Sequence, residues 1–261
     1  MSTVAEFKKK LHAGEVCIGS WVNSTDPCIT EIMCGSGYDF IFFDAEHSAL
    51  NIETIQLHMI ATKGTGTVPI VRVPWNDMVM IKLVLDVGAA GVLIPMVTTA
   101  EETKKGVAAC MYPPEGVRGF GPRRPANYER NFMEYIERAN RDMIVFAQIE
   151  HIDAVNNIEE ILKVPGLDGV LSAACDLSGS MGILGQVGHP LVRAAMEKVV
   201  AKAHDAKVPA GIAGPRIAEE VFKWISRGVQ FITMGNDQGF LSMTSDNAVT
   251  ELRKLLQKAN G

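Results

Sequence analysis

The sequence predicts a (β/α)8 barrel of the TIM type, a single domain filling residues 1–261, with an extra helix at the C-terminus. Three observations lead there. Short β-branched and aromatic runs alternate with amphipathic segments along nearly the whole chain. Eight such units occupy about 240 residues, the size of one closed barrel. No GxGxxG fingerprint follows the first strand, which argues against an open dinucleotide-binding sheet, although alternation alone leaves an open sheet as the alternative.

The strands are expected at 16–22, 39–45, 68–73, 91–97, 143–150, 168–173, 208–213 and 229–235. Helical patterns fall between them at 77–88, 99–111, 152–163, 190–206 and 215–227. The last has Pro215 near its start and Gly228 just past its end, the usual asymmetry of helix punctuation. Strands separated by helices pair in parallel through right-handed crossovers. Two stretches stand out. Residues 112–130, "YPPEGVRGFGPRRPANYER", form a long Pro/Gly/Arg loop after the fourth strand, a length that marks function or assembly. Residues 246–260 read as a plain helix suited to oligomer contacts.

Composition narrows the partners. Hydrophobic residues make up 47% and charged ones 21%, enough for a full-sized core in a globular chain. A net charge of −5 argues against nucleic acid. The N-terminal stretch has no apolar run of signal-peptide or membrane-spanning length. Cys17, Cys28, Cys34, Cys110 and Cys175 are odd in number and form no CxxC pair, which fits free thiols in a reducing cytoplasm.

In this fold, chemistry gathers at the C-terminal ends of the strands. On the fifth strand, Phe146, Gln148 and Glu150 share one face, and the Val145, Ala147 and Ile149 face suits the surrounding helices. Glu150 therefore points into the barrel mouth. Asp176 follows the sixth strand, a neighbour about 5 Å away. Two carboxylates held that close repel unless a proton or cation sits between them. A hard divalent ion, Mg2+ or Mn2+ before other divalent ions, would satisfy both; a helix cap and a salt bridge are the structural alternative. Arg72 lies between Val71 and Val73 and so faces the interior, where a guanidinium needs a carboxylate or a substrate. Asp44 and Glu46 share one face of the second strand, and His47 stands just past its end. A histidine there can act as a general base near neutral pH. His12, His58, His151, His189 and His204 sit in helices or connections and read as structural or solvated.

These pieces resemble the HpcH/HpaI family of class II aldolases. The resemblance is carried by "GSW" at 19–21, "DAEHSALN" at 44–51, "VPIVRVP" at 68–74 and "LDVGAAGVLIPMV" at 85–97. It continues through "YPPEGVRG" at 112–119, "QIE" at 148–150 and "CDLSGSMG" at 175–182. It implies cleavage of 4-hydroxy-2-oxo acids to pyruvate and an aldehyde, and a hexamer with active sites near subunit contacts. It makes Glu150 and Asp176 metal ligands, Arg72 the cation that stabilises an enolate, and His47 a base working through a water. Asp86 becomes the carboxylate that orients His47, and Asp44 shapes the polar surroundings. Gln148, Ala174, Cys175, Trp21 and Ala213 are the residues it implies around the substrate. The chain departs from the family where Ala173-Ala174 replaces Gly-Pro, where Ala49-Leu50-Asn51 replaces Ala-Pro-Asn, and where Ala213 replaces a larger apolar residue. A related enolate-forming lyase or decarboxylase, or a non-catalytic 2-oxo acid binder, are the alternatives.

Overall fold

The computed structural model describes residues 3–259. Helix α1 (Thr3–His12) precedes eight strands: β1 (Cys17–Val22), β2 (Phe40–Asp44), β3 (Val68–Arg72), β4 (Gly91–Ile94), β5 (Ile144–Ile149), β6 (Gly169–Ser172), β7 (Ala210–Gly214) and β8 (Phe231–Asn236). Each pairs in parallel with the next, and β8 pairs with β1, so the sheet closes into a barrel and the open-sheet alternative falls. Around it run α2 (Pro27–Gly35), α3 (Ile52–Ala61), α4 (Met78–Asp86), α5 (Ala100–Cys110), α6 (Phe132–Asp142), α7 (Ile152–Asn156), α8 (Ile158–Ile161), α9 (Ala174–Ser180), α10 (Pro190–Ala206), α11 (Ala218–Ile225) and α12 (Asp237–Ala259).

Period-two alternation divides each strand between two cores. Val71, Val145, Ala147 and Ile149 pack outward against the helices, while Phe40, Phe42, Ile70, Leu93, Phe146, Leu171 and Phe231 fill the barrel. The interior is aromatic: the Phe146 and Phe231 rings stack with centroids 4.6 Å apart. Rings of this size need gaps beside them. A Cβ on Gly19 would lie 2.4 Å from the Phe40 ring, and one on Gly211 would lie 2.2 Å from Phe231. Helix starts are written in the sequence as caps. Asn51 with Thr54 opens α3, and Thr99 with Glu102 opens α5, each as a reciprocal capping box.

Three expected elements differ from the structure. The segment 152–163 breaks into α7 and α8 at Asn157, whose side-chain amide donates to the Thr98 carbonyl (2.9 Å). The C-terminal helix begins at Asp237 rather than 246; its expected last residue, Asn260, lies outside the described residues. Gly239 with Ser242, Thr244 and Ser245 hide its first turns, while Asp237 anchors it by accepting the Asn23 and Ser24 amides (3.1 and 2.9 Å). The Pro/Gly/Arg loop follows α5, which runs back from the mouth. Its position is therefore the N-terminal end of the barrel, opposite the strand ends that carry the candidate chemistry.

Candidate active site at the barrel mouth

Asp44, the last residue of β2, is 2% exposed and organises the mouth. Its carboxylate accepts from Arg72 twice, Nε to Oδ1 at 2.9 Å and Nη2 to Oδ2 at 2.7 Å, a bidentate pair. Oδ1 also accepts the backbone amides of Glu46 (3.1 Å) and His47 (3.2 Å), which folds the segment after the strand into a tight turn. Arg72, directly across from Asp44 in the β2–β3 register, lies over the Trp21 ring at 4.6 Å. Trp21 is itself fixed by its Nε1–H donating to Thr233 Oγ1 at 2.7 Å. The buried Arg–Asp pair weighed from the sequence is thus present, and it leaves one arm of the guanidinium, Nη1, outside the pair.

Glu46 faces that arm. Its Oε2 is 3.1 Å from Arg72 Nη1, close but misaligned for a hydrogen bond, and 3.6 Å from His47 Nε2. Burial pushes the Glu46 carboxyl from its ordinary 4.5 up to about 7. Arg72 opposes this, while the neighbouring Glu150 charge adds to it. The His47 side chain is 61% exposed at the rim.

Glu150, immediately after β5, is 2% exposed. Its Oε1 accepts the Met96 amide at 2.7 Å, and Gln148 donates its side-chain amide to Oε2. Met96 adopts a left-handed φ of 54°, unusual for a non-glycine residue, so backbone strain accompanies this contact. Burial raises the Glu150 pKa above the usual carboxylate range; the two amide donors lower it, and the charge of Asp176 raises it further. Asp176 itself is exposed in the first turn of α9.

A cleft of about 620 Å3 opens over these groups. Trp21, Asp44, His47 and Arg72 line one side; Ala174, Cys175, Asp176 and Ala213 line the other. Gln148 and Glu150 lie buried beneath it. Asp86 does not join them. The helix carrying it starts at the mouth and runs about 13 Å back along nine residues, so its last residue reaches the N-terminal end. There it pairs with Arg118 (Nη2 to Oδ1, 2.8 Å), and within one chain it does not orient His47. Sequence reasoning missed Met96, whose contribution is a backbone amide, and gave Glu46 no role although it noted the shared face with Asp44. It also missed the outer lining from Arg193, Glu220 and Trp224.

The donor set suits a hard divalent cation. Glu150 is buried, and burial together with the charge of Asp176 holds it toward its protonated form, a cost that a cation would relieve. Among the described residues no three His, Cys, Asp or Glu side chains gather as a group that could hold a metal ion.

Carboxylates, a fixed guanidinium and a histidine thus stand at the C-terminal mouth of a closed (β/α)8 barrel, the end where this fold carries active sites. The family model described as HpcH/HpaI aldolase/citrate lyase matches residues 17–242. A 5-keto-4-deoxy-D-glucarate aldolase of Shigella dysenteriae serotype 1 (strain Sd197) is 35% identical over 246 residues, 94% of this chain and 96% of the relative. The crystal structure of an HpcH/HpaI aldolase from Desulfitobacterium hafniense DCB-2 superposes with a TM-score of 0.86 at 33% identity, covering 93% and 95% of the two chains. That of an HpcH/HpaI aldolase/citrate lyase family protein from Burkholderia cenocepacia J2315 gives 0.91 at 27% identity, covering 95% and 99%. The chain belongs to the HpcH/HpaI aldolase/citrate lyase family. It is an aldolase, a lyase. Among the described residues no helix is long and apolar enough to cross a membrane.

Proposed function

We propose that this enzyme cleaves 4-hydroxy-2-oxo acids to pyruvate and an aldehyde, with Glu150 and Asp176 as the residues that would hold Mg2+ or Mn2+. The observation that carries the reading is the buried Glu150, under the influence of the Asp176 charge, near a guanidinium whose Nη1 arm lies outside the Asp44 pair and faces Glu46. The bound ion would supply Lewis acidity to the carboxylate and 2-oxo oxygens of the substrate. The Ala174 and Cys175 amides, in a first helical turn without intrahelical acceptors, receive the substrate carboxylate. His47, through a water, takes the proton of the 4-hydroxyl. The O–H electrons form the aldehyde carbonyl, the C3–C4 bond breaks, and its pair passes to C3 as a pyruvate enolate. Arg72 Nη1 faces the negative charge on the C2 oxygen, and protonation at C3 completes pyruvate. Trp21 and Ala213 bound the space for the aldehyde portion, and Gln148 holds Glu150 in place. No lysine lines the cleft among the described residues, which fits chemistry without an imine.

The working protein is proposed to be a homo-oligomer, a hexamer by resemblance. Leu241, Met243, Val249, Leu252, Leu255 and Leu256 of α12 are all exposed, an apolar surface that a second copy would cover. Such contacts are also the setting in which Asp86 of one copy could serve His47 of another. Five free cysteines support a cytoplasmic placement. The test is pyruvate release from a panel of 4-hydroxy-2-oxo acids, with EDTA and after Mg2+ or Mn2+ is restored. Metal-restored release is expected; release indifferent to EDTA, or none from any member, would reject the reading.

A further inference from the structure

The N-terminal end of the barrel holds a second cavity, about 290 Å3, between α3, β3, α4, α6 and the Pro/Gly/Arg loop. Its charges do not balance. Lys63, Arg118, Arg124 and Arg138 line it, and Asp142 is the one lining carboxylate among the described residues. Asp142 is already shared between Arg138 (3.3 Å) and Arg141 (3.0 Å).

The two inner guanidiniums are the informative ones. The Arg118 side chain is 0% exposed. Asp86 satisfies its Nη2, and the Tyr112 ring lies 4.5 Å from its Cζ, yet Nε and Nη1 find no acceptor among the described residues. Arg124 is half-buried and has no carboxylate partner at all among them. It donates instead to the carbonyls of Val87 (3.4 Å) and Met59. Burial without a counter-ion lowers its pKa. Cations taken out of water are ordinarily paired, and an unmet buried donor is costly. Uncharged water could fill the space but would leave the charge uncompensated. Room for about ten waters is also room for a small anion.

We propose that this cavity binds a small oxyanion, a carboxylate or a phosphate, on the guanidiniums of Arg124 and Arg138, with the buried Arg118 guanidinium behind them. Planar forked donors suit both ligands, and the shared chemistry is two or more oxygens carrying delocalised negative charge. The site lies at the other end of the barrel from this chain's own catalytic mouth, and its test reads unfolding rather than turnover.

Thermal unfolding of the intact protein tests it, in inorganic phosphate, in succinate, and in chloride at matched ionic strength. Wild type is expected to show a saturable rise of about 5 °C with at least one oxyanion beyond the chloride control. Phosphate alone or succinate alone giving the rise identifies the source, and either supports the site. Arg124→Gln should abolish the rise, and Arg138→Gln, closer to the rim, should shift its midpoint about tenfold upward. Should Arg124→Gln fail to fold, the Arg138→Gln midpoint decides. No rise beyond chloride overturns the proposal. So does a rise that persists unchanged in the folded variants, because the anion would then sit elsewhere.

Discussion

At the C-terminal mouth, Asp44 and Glu46 flank one buried guanidinium, Arg72, and Glu150 and Asp176 add two more carboxylates. At the N-terminal end, Lys63, Arg118, Arg124 and Arg138 surround a cavity with one lining carboxylate. The same barrel thus carries too little positive charge at one end and too little negative charge at the other. The responses differ in kind. At the mouth, desolvation and mutual repulsion push Glu46 and Glu150 toward their protonated forms, because carboxyl groups can shed charge within the working pH range. Arginine has no such escape near neutrality, so the other end borrows backbone carbonyls and an aromatic face. A surplus that can be titrated away is one that a metal can exploit.

The largest expected effect tests whether the surplus at the mouth is a metal site. Glu150→Gln keeps the shape and an oxygen for the Met96 amide but removes the charge. Turnover should fall on the order of 10³-fold and Mn2+ affinity with it, with the fold unchanged by circular dichroism. Asp176→Asn should do the same. Wild-type Mn2+ titration curves in both variants would contradict the assignment.

Next is His47, whose exposure at the rim makes truncation nearly free of structural cost. His47→Ala should slow cleavage of a 4-hydroxy-2-oxo acid by roughly 10²–10⁴-fold. Decarboxylation of oxaloacetate should suffer much less, since no hydroxyl proton leaves. Equal losses on both substrates would assign His47 to binding rather than proton transfer.

Arg72→Lys keeps one positive charge but cannot span both oxygens of Asp44 while presenting a third donor. A loss of roughly 10²-fold in kcat is expected, larger than the change in KM. Near-wild-type kcat would make the Arg72–Asp44 pair structural only.

These residues are legible in the sequence for a simple reason. A strand has a period of two, so apolar neighbours on both sides force Arg72 and Glu150 inward, and the parallel order fixes which end is the mouth. Asp86 lies at the far end of its own barrel, and its expected role comes from resemblance, which transfers a function but not the copy of the chain that supplies it. Helix length alone, nine residues running back from the mouth, would have sent it to the other end. Met96 was invisible because a backbone amide leaves no mark in residue identity. The N-terminal cavity was invisible too: Arg118, Arg124 and Arg138 come from a loop and a helix whose meeting place depends on a non-periodic path.

The smallest effect isolates the surplus itself. Glu46 has a folded pKa of about 7 against an ordinary 4.5, so the folded protein holds its proton more tightly than the unfolded chain. Below pH 4.5 both states are protonated and there is no penalty. As pH rises through 7 the folded state must bury a charge, so the stability gained from that proton is lost. Glu46→Gln cannot ionise and escapes this loss, while Arg72 keeps its bidentate bond to Asp44. The rise from 4.5 to about 7 is worth on the order of 3 kcal/mol, so in EDTA the variant should unfold several degrees above wild type at pH 8. The difference should shrink steadily to nothing near pH 4.5. Melting curves at four pH values check both sign and window. A wild type more stable than Glu46→Gln at pH 8 would mean that attraction to Arg72 outweighs burial, and that the mouth carries no surplus of negative charge at this position.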